Sequence, residues 1–270
     1  MGYRKIVQYG DTTEIYDYEK NIRQRKGINA KKARILMLPR ENHANELSVS
    51  SSTKRKKLQR LQRKAKGTHR RSKRSITRSK TNFFRLTHHN NCLAETIHFV
   101  TLTFAYDLTY KKALSHLNSF MEKVQRLKPE ISLSYISVPE LTKKGRYHFH
   151  LLVYDLPSET AQRERETRNF QRLFERGYVD ICLATYTSEG IAGYMAKYMA
   201  KALTDEKNEA TRGFSTSRNI EKVRTAGSNT LDSYSDLIIP TDSIVKEEHS
   251  QYDVPYLGLC RFKKIIVRNI

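Results

Sequence analysis

The stretch Tyr147-His148-Phe149-His150-Leu151-Leu152-Val153-Tyr154 decides how the chain reads. It is rich in aromatic and branched residues and has no Gly or Pro, so it predicts a β-strand. Side chains alternate across a strand, which puts His148 and His150 on one face, about 7 Å apart. Two imidazoles at that spacing suit a single metal ion. Glu140 ends a second extended run, Leu133 to Pro139, upstream of the His pair. Leu141 to Arg146, with Lys143-Lys144-Gly145, predicts a tight basic hairpin between the two runs. Such a hairpin returns Glu140 to the side of the His pair, so two strands would present Glu140, His148 and His150 together.

Downstream, Gly193-Tyr194-Met195-Ala196-Lys197-Tyr198-Met199-Ala200-Lys201 is rich in Ala and Met and predicts a helix, with Thr187 or Ser188 able to cap it. Tyr194 and Tyr198 are four residues apart, as are Lys197 and Lys201, so each pair runs along one side of the helix.

Taken together, these residues resemble the HUH endonucleases, specifically the rolling-circle replication initiators of small phages and plasmids. The family's first motif is similar to Phe99-Val100-Thr101-Leu102-Thr103-Phe104. Its second matches His148-Phe149-His150, and its third, a Tyr-x-x-Lys-Tyr helix, matches Tyr194 to Tyr198. The three occur in the family's order, and the resemblance covers roughly residues 90 to 225. The two-tyrosine form is similar to the initiators of single-stranded DNA phages.

The resemblance implies an activity: nicking and rejoining of single-stranded origin DNA through a 5′-phosphotyrosine link. Tyr198 is expected to cut first, because single-tyrosine relatives retain that position, and Tyr194 second. Lys197 is expected to lower the phenol pKa or steady the phosphate. A free tyrosine is a poor nucleophile at neutral pH. A divalent ion on Glu140, His148 and His150 would polarise the scissile phosphate as a Lewis acid. Mg²⁺ and Mn²⁺ both fit this ligand set, and the imidazoles favour Mn²⁺.

The chain has 270 residues, with 50 Lys and Arg against 28 Asp and Glu, for a net charge of +22. Such an excess points to nucleic acid as partner, ahead of an anionic membrane surface. Lys54 to Lys80 is about half Lys or Arg and contains no acid. It is expected to hold the DNA backbone through residues such as Arg70, Arg71, Lys73 and Arg74, positioning the protein without reading sequence. Lys143, Lys144, Arg146, Lys201 and Arg218 are further expected phosphate contacts. Cys92, Cys182 and Cys260 form no CxxC pair, so neither a disulfide framework nor a structural zinc knuckle is expected, and a reducing cytoplasm fits. No apolar run long enough for a membrane span and no signal-peptide core is present in the sequence. No Walker A pattern appears, so strand separation is expected from a host helicase and synthesis from a host polymerase.

Residues 3 to 18 predict a hairpin around Gly10-Asp11. Residues 19 to 53 are polar and read as a loop. His88 and His89, being adjacent, face different directions and are read as a boundary, not as ligands. Tyr110 to Leu127 has apolar residues at helical spacing and predicts a core helix. Glu159 to Arg176 predicts a charged helix closed by Gly177, and Tyr178 to Ala184 a strand. Phe214 to Arg218 reads as a short strand, Ser228 to Glu248 as loose chain with a strand at Leu237 to Pro240, and Leu257 to Val267 as a closing strand paired with the N-terminal hairpin. The expected fold class is α+β, a mainly antiparallel central sheet with packed helices, palm-like as in the HUH family, with a basic N-terminal helical extension. The expected divisions are 1–53 (hairpin and loop), 54–92 (basic DNA-contacting extension), 93–225 (endonuclease core) and 226–270 (C-terminal loop and closing strand). An HUH transposase, and a non-catalytic nucleic-acid-binding protein, are the alternatives. The origin sequence, and phage against plasmid, stay open.

Overall fold

The computed structural model describes residues 2–20, 72–127, 129, 132–156, 160–205, 208, 213–228, 243–255 and 257–268. The elements in chain order are β1 (Tyr3–Tyr9), β2 (Thr12–Tyr18), α1 (Lys73–Leu93), β3 (Ile97–Phe104), α2 (Tyr110–Leu127), β4 (Ser134–Leu141), β5 (Tyr147–Tyr154), α3 (Thr160–Leu173), β6 (Gly177–Leu183), α4 (Ser188–Thr204), β7 (Ser215–Thr216), β8 (Arg224–Ser228), β9 (Ile244–Val254) and β10 (Gly258–Val267). The fold is α+β, as the sequence indicates. Among the described residues the strands form two antiparallel five-stranded sheets, ordered β8-β1-β2-β10-β9 and β6-β3-β5-β4-β7, where one central sheet was expected.

The second sheet carries the core on both faces. Along β3, Val100, Leu102 and Phe104 point to one side, with Phe149, Leu151 and Val153 of β5. That side is covered by α2, through Ala113, Leu117, Phe120, Met121 and Val124, and by Phe170 of α3. The apolar residues of α2 recur at three and four positions, which makes the stripe the sheet requires. The opposite face is built from Ile136, Val138, Leu152 and Tyr154. It is covered by α4, through Ile191, Met195, Ala196, Met199 and Ala202, and by Phe83 of α1. On this second face the alternation of β5 runs Tyr154, Leu152, His150, His148. The apolar floor therefore gives way to imidazoles toward the start of the strand.

The first sheet joins the N-terminal hairpin to the C-terminal strands. Strand β10 pairs with β2 from Cys260 opposite Tyr18 to Ile266 opposite Thr12, the pairing expected for the closing strand. Strand β9 corrects the reading of Ser228 to Glu248 as loose chain, because Ile244–Val254 is a strand paired along β10. The sheet is tied to α1 through Glu14, whose carboxylate accepts from Tyr9 (2.6 Å) and Tyr16 (2.5 Å) and pairs with the Arg85 guanidinium. His88 and His89 lie inside α1, not at a boundary. Most of the expected loop at 19–53, most of the basic block and the strand at Leu237 to Pro240 lie outside the described residues.

Candidate active site

Cross-strand register brings the predicted triad together. Glu140 lies opposite His148 in the β4–β5 pairing, and His150 lies opposite Val138. On the other flank of β5, Thr103 pairs with His148 and Thr101 with His150. The hairpin is tight. Thr142 N–H donates to Arg146 O at 2.9 Å, and Gly145, at φ +82°, takes the left-handed turn that a side chain disfavours.

His150 Nε2 is 2.9 Å from Glu140 Oε2, and the two imidazole rings are 4.5 Å apart between centroids. Thr103 Oγ1 is 2.9 Å from His148 Nδ1. With Nδ1–H donated to that hydroxyl, Nε2 of His148 keeps its lone pair for a ligand, the arrangement that outer-shell partners impose on metal-binding histidines. Nδ1 of His150 is buried and has no hydrogen-bond partner among the described residues. Two imidazoles and a carboxylate on paired strands of one sheet face are donor types that a divalent cation takes.

The charges are set by burial and by close partners. Burial, aided by the neighbouring His150, pushes the His148 pKa down to about 4. Burial also lowers that of His150, against the pull of Glu140. Both rings are thus held neutral near pH 7, the form that binds metal. Burial alone would raise the Glu140 pKa, but hydrogen bonds from Lys201 and His150 outweigh it and hold the carboxyl below its usual range.

Helix α4 supplies the phenols. Thr187 caps it, its side chain accepting from Gly190 N–H at 3.1 Å. Ile191, Met195, Met199 and Ala202 form its buried stripe on the sheet. Tyr194, Tyr198 and Lys201 form the adjoining stripe, which lies over the imidazoles. The Tyr198 ring is 3.9 Å from that of His150, and the two phenol oxygens are 2.7 Å apart. Phe99 of β3 fills the space beside them, 5.6 Å from the Tyr194 ring and 5.5 Å from that of His150. Burial and the hydrogen bond with Tyr194 push the Tyr198 pKa up to about 12. The phenol rests protonated, so the chain's own groups do not activate it in this arrangement.

Among the expected DNA contacts, Lys201 stands out. Its ammonium is paired with Glu140 Oε1, inside the triad. Lys197 instead lines a groove of about 1050 Å³ beside Tyr194, walled by Lys80, Phe84 and Tyr186. Tyr186 is 80 % exposed, so an aromatic face stands open at the groove. Lys143 and Lys144 are exposed on the hairpin tip, while Arg146 pairs with Asp107 at 3.5 Å. Lys73 and Arg74 are exposed on the first turn of α1, and Arg70 and Arg71 lie outside the described residues. Arg218 is exposed near the other end of β4 from Glu140, where Ser217 N–H donates to Tyr135 O. The structure thus gathers Glu140, His148, His150, Tyr194, Tyr198 and Lys201 into one site and leaves Arg218 apart from it. Thr103 and Phe99 join the site through the face-sharing of β3, which the Thr101/Thr103 alternation signals.

Residues 97–203 match the family model of the replication-associated protein ORF2/G2P, a stretch that runs from β3 through the tyrosines of α4 and holds every residue of the triad. The match covers less than half of the 270 residues. Among curated proteins, no match is found. One similar solved structure is the hypothetical protein ORF119 from Sulfolobus islandicus rod-shaped virus 1, with 15 % identity over 42 % of this chain and 90 % of that one, at a TM-score of 0.31. Another is the N-terminal nuclease domain of the minute virus of mice non-structural protein 1, with 10 % identity over 59 % of this chain and 79 % of that one, at a TM-score of 0.23. That domain coordinates Zn²⁺ in its active-site pocket and recognises DNA at the origin of replication. Scores of this size do not establish a shared fold. No described helix is long and apolar enough to cross a membrane.

Proposed function

We propose that the protein is a two-tyrosine rolling-circle replication initiator, which nicks and rejoins single-stranded origin DNA through a 5′-phosphotyrosine intermediate. The observation that carries this reading is the placing of the Tyr198 ring 3.9 Å from that of His150, with the second phenol oxygen 2.7 Å from the first. A structural tyrosine stripe would bury its hydroxyls in the core, whereas Tyr194 is 47 % exposed beside three metal-type donors.

Glu140, His148 and His150 would hold Mg²⁺ or Mn²⁺, which when bound supplies Lewis-acid polarisation of the scissile phosphate. The chain does the rest. The Tyr198 oxygen attacks phosphorus, the bond from phosphorus to the 3′ oxygen breaks, the phenol proton passes to solvent, and the departing 3′ oxygen takes up a proton from solvent. The products are a 5′-phosphotyrosine and a free 3′-OH, which primes a host polymerase behind a host helicase. One ester replaces another, so no nucleotide is consumed. After one round Tyr194 makes the second cut, and the 3′-OH so released attacks the first phosphotyrosine and closes the circle. Lys197 and the groove beside Tyr194 hold the strand, and Thr103 orients His148. Lys73, Arg74, Lys143 and Lys144 supply backbone contacts away from the chemistry.

The test is a labelled origin oligonucleotide with Mn²⁺ or with EDTA. Wild-type protein should become attached to the 5′ end only with the metal, and Tyr198→Phe should not. Adduct formation by Tyr198→Phe at the normal rate would reverse the order of the tyrosines. Binding without cleavage in every condition would leave only a nucleic-acid-binding protein.

A further inference from the structure

The three side chains Asp11, His88 and Cys92 meet where the β1–β2 turn rests on α1, and none of them lies on the tyrosine helix or on the strands of the Glu140 site. Their donor atoms all lie within 4.8 Å of one another. His88 Nε2 is 2.8 Å from Asp11 Oδ1 and 3.8 Å from Cys92 Sγ. From this convergence we infer that Asp11, His88 and Cys92 form a second metal site, which takes Zn²⁺ and clamps the first sheet onto α1.

Both the carboxylate and the thiol approach the same ring nitrogen. A proton relay from thiol through imidazole to carboxylate would use the two nitrogens separately. Approach to one nitrogen instead focuses three donors on a single point. A tetrahedral zinc with metal–ligand bonds of about 2.0–2.3 Å sets its donors about 3.3–3.6 Å apart. The Sγ–Nε2 separation is already close to that, and the Asp11–His88 contact must open by about half an ångström. His88 and Cys92 are one helical turn apart, so a rigid helix supplies two ligands and the turn brings the third.

The surroundings are shaped for the thiol. Gly10 sits over Cys92 at φ +52°, and a Cβ there would be 2.6 Å from Sγ, so only glycine lets the turn come this close. The Gly10 N–H donates to His89 Nδ1 at 2.9 Å, and Thr12 Oγ1 donates to Asp11 Oδ1 at 2.9 Å, which fixes both the turn and the carboxylate. The His88 side chain is 6 % exposed and that of Asp11 25 %, leaving the carboxylate side open for water as a fourth ligand.

A set of one sulfur, one nitrogen and one oxygen favours zinc over magnesium or manganese, so the two sites would sort different ions. The clamp also reaches the active site. Asn91, next to Cys92, donates to Ser188 O at 2.9 Å at the start of α4 and accepts from the Tyr154 hydroxyl at 3.1 Å. A metal that fixes the last turn of α1 therefore fixes the first turn of the tyrosine helix.

Cobalt distinguishes this site from the Glu140 site, because only a thiolate ligand gives a sulfur-to-Co²⁺ charge-transfer band. The chelator-stripped full-length chain, titrated with Co²⁺, should develop that band to one equivalent, and Zn²⁺ should displace it. Cys92→Ser should lose the band, and the double variant His148→Ala/His150→Ala should keep it. Absence of the band in the wild type, or its survival in Cys92→Ser, overturns the site and leaves a His–Asp ion pair beside a free thiol. Should circular dichroism show that Cys92→Ser does not fold, Asp11→Asn replaces it. Its Co²⁺ affinity should fall more than about tenfold, since loss of an outer-shell partner alone costs that much, and unchanged affinity overturns the site. None of these readouts depends on DNA cleavage.

Discussion

Replacing Lys201 by Met should strengthen metal binding at the Glu140 site. The Lys201 ammonium is paired with Glu140 Oε1, and an incoming cation must compete for that carboxylate. The Lys201 side chain is 61 % exposed, so the pair is screened by water and contributes about 0–1 kcal/mol. Removing it frees up to that amount, which corresponds to a gain of up to about fivefold in affinity. Relief of repulsion between the ammonium and the cation has the same sign. Isothermal titration with Mn²⁺, a hard ion that discriminates against the thiolate cluster, reads the change. The gain should shrink at high salt, because exposed charges are screened there. Lys201→Arg, which keeps the charge, should bind Mn²⁺ close to the wild-type affinity. A fall in affinity for Lys201→Met would refute the reasoning. It would mean that the ammonium holds Glu140 in the ligating position instead of competing for it.

Glu140→Gln and His148→Ala should each abolish Mn²⁺-dependent adduct formation while far-ultraviolet circular dichroism stays unchanged, and a fully active variant would remove that residue from the ligand set. Phe83 is fully buried with its ring 4.9 Å from Phe214, so Phe83→Ala should cost about 3–5 kcal/mol in urea unfolding; a loss under about 1 kcal/mol would mean that α1 does not complete the second core. Lys143→Glu with Lys144→Glu should weaken binding to single-stranded DNA of any sequence and lower the slope of log affinity against log salt by about 0.7 per lost phosphate contact. An unchanged slope would place the hairpin tip off the DNA path.

The second sheet and its site were legible because each part is periodic or local. Strand alternation alone places His148 with His150 and Thr101 with Thr103. A short hairpin alone returns Glu140 to His148. Helical spacing alone aligns Tyr194 with Tyr198. The first sheet was half legible. Its hairpin has turn residues at Gly10-Asp11, but β9 reads Lys246-Glu247-Glu248-His249, with almost no apolar alternation. That strand is held by backbone pairing with β10 and by cross-strand charges such as Lys263 with Glu247, neither of which leaves a periodic trace.

What the sequence does not carry is partnership between distant segments. Glu14 meets Arg85 across 71 positions, and Asp11 meets His88 across 77. Adjacent histidines cannot serve together as ligands when only their own helix is considered, since they point apart. In α1 that divergence is the useful property: His89 takes the Gly10 amide while His88 reaches Asp11, so two faces of the helix grip one turn. Lys201 follows the same logic. Its place on the tyrosine stripe is periodic and readable, but its partner lies 61 positions away on β4, and only the closing of α4 over the sheet turns an expected phosphate contact into a competitor for the carboxylate.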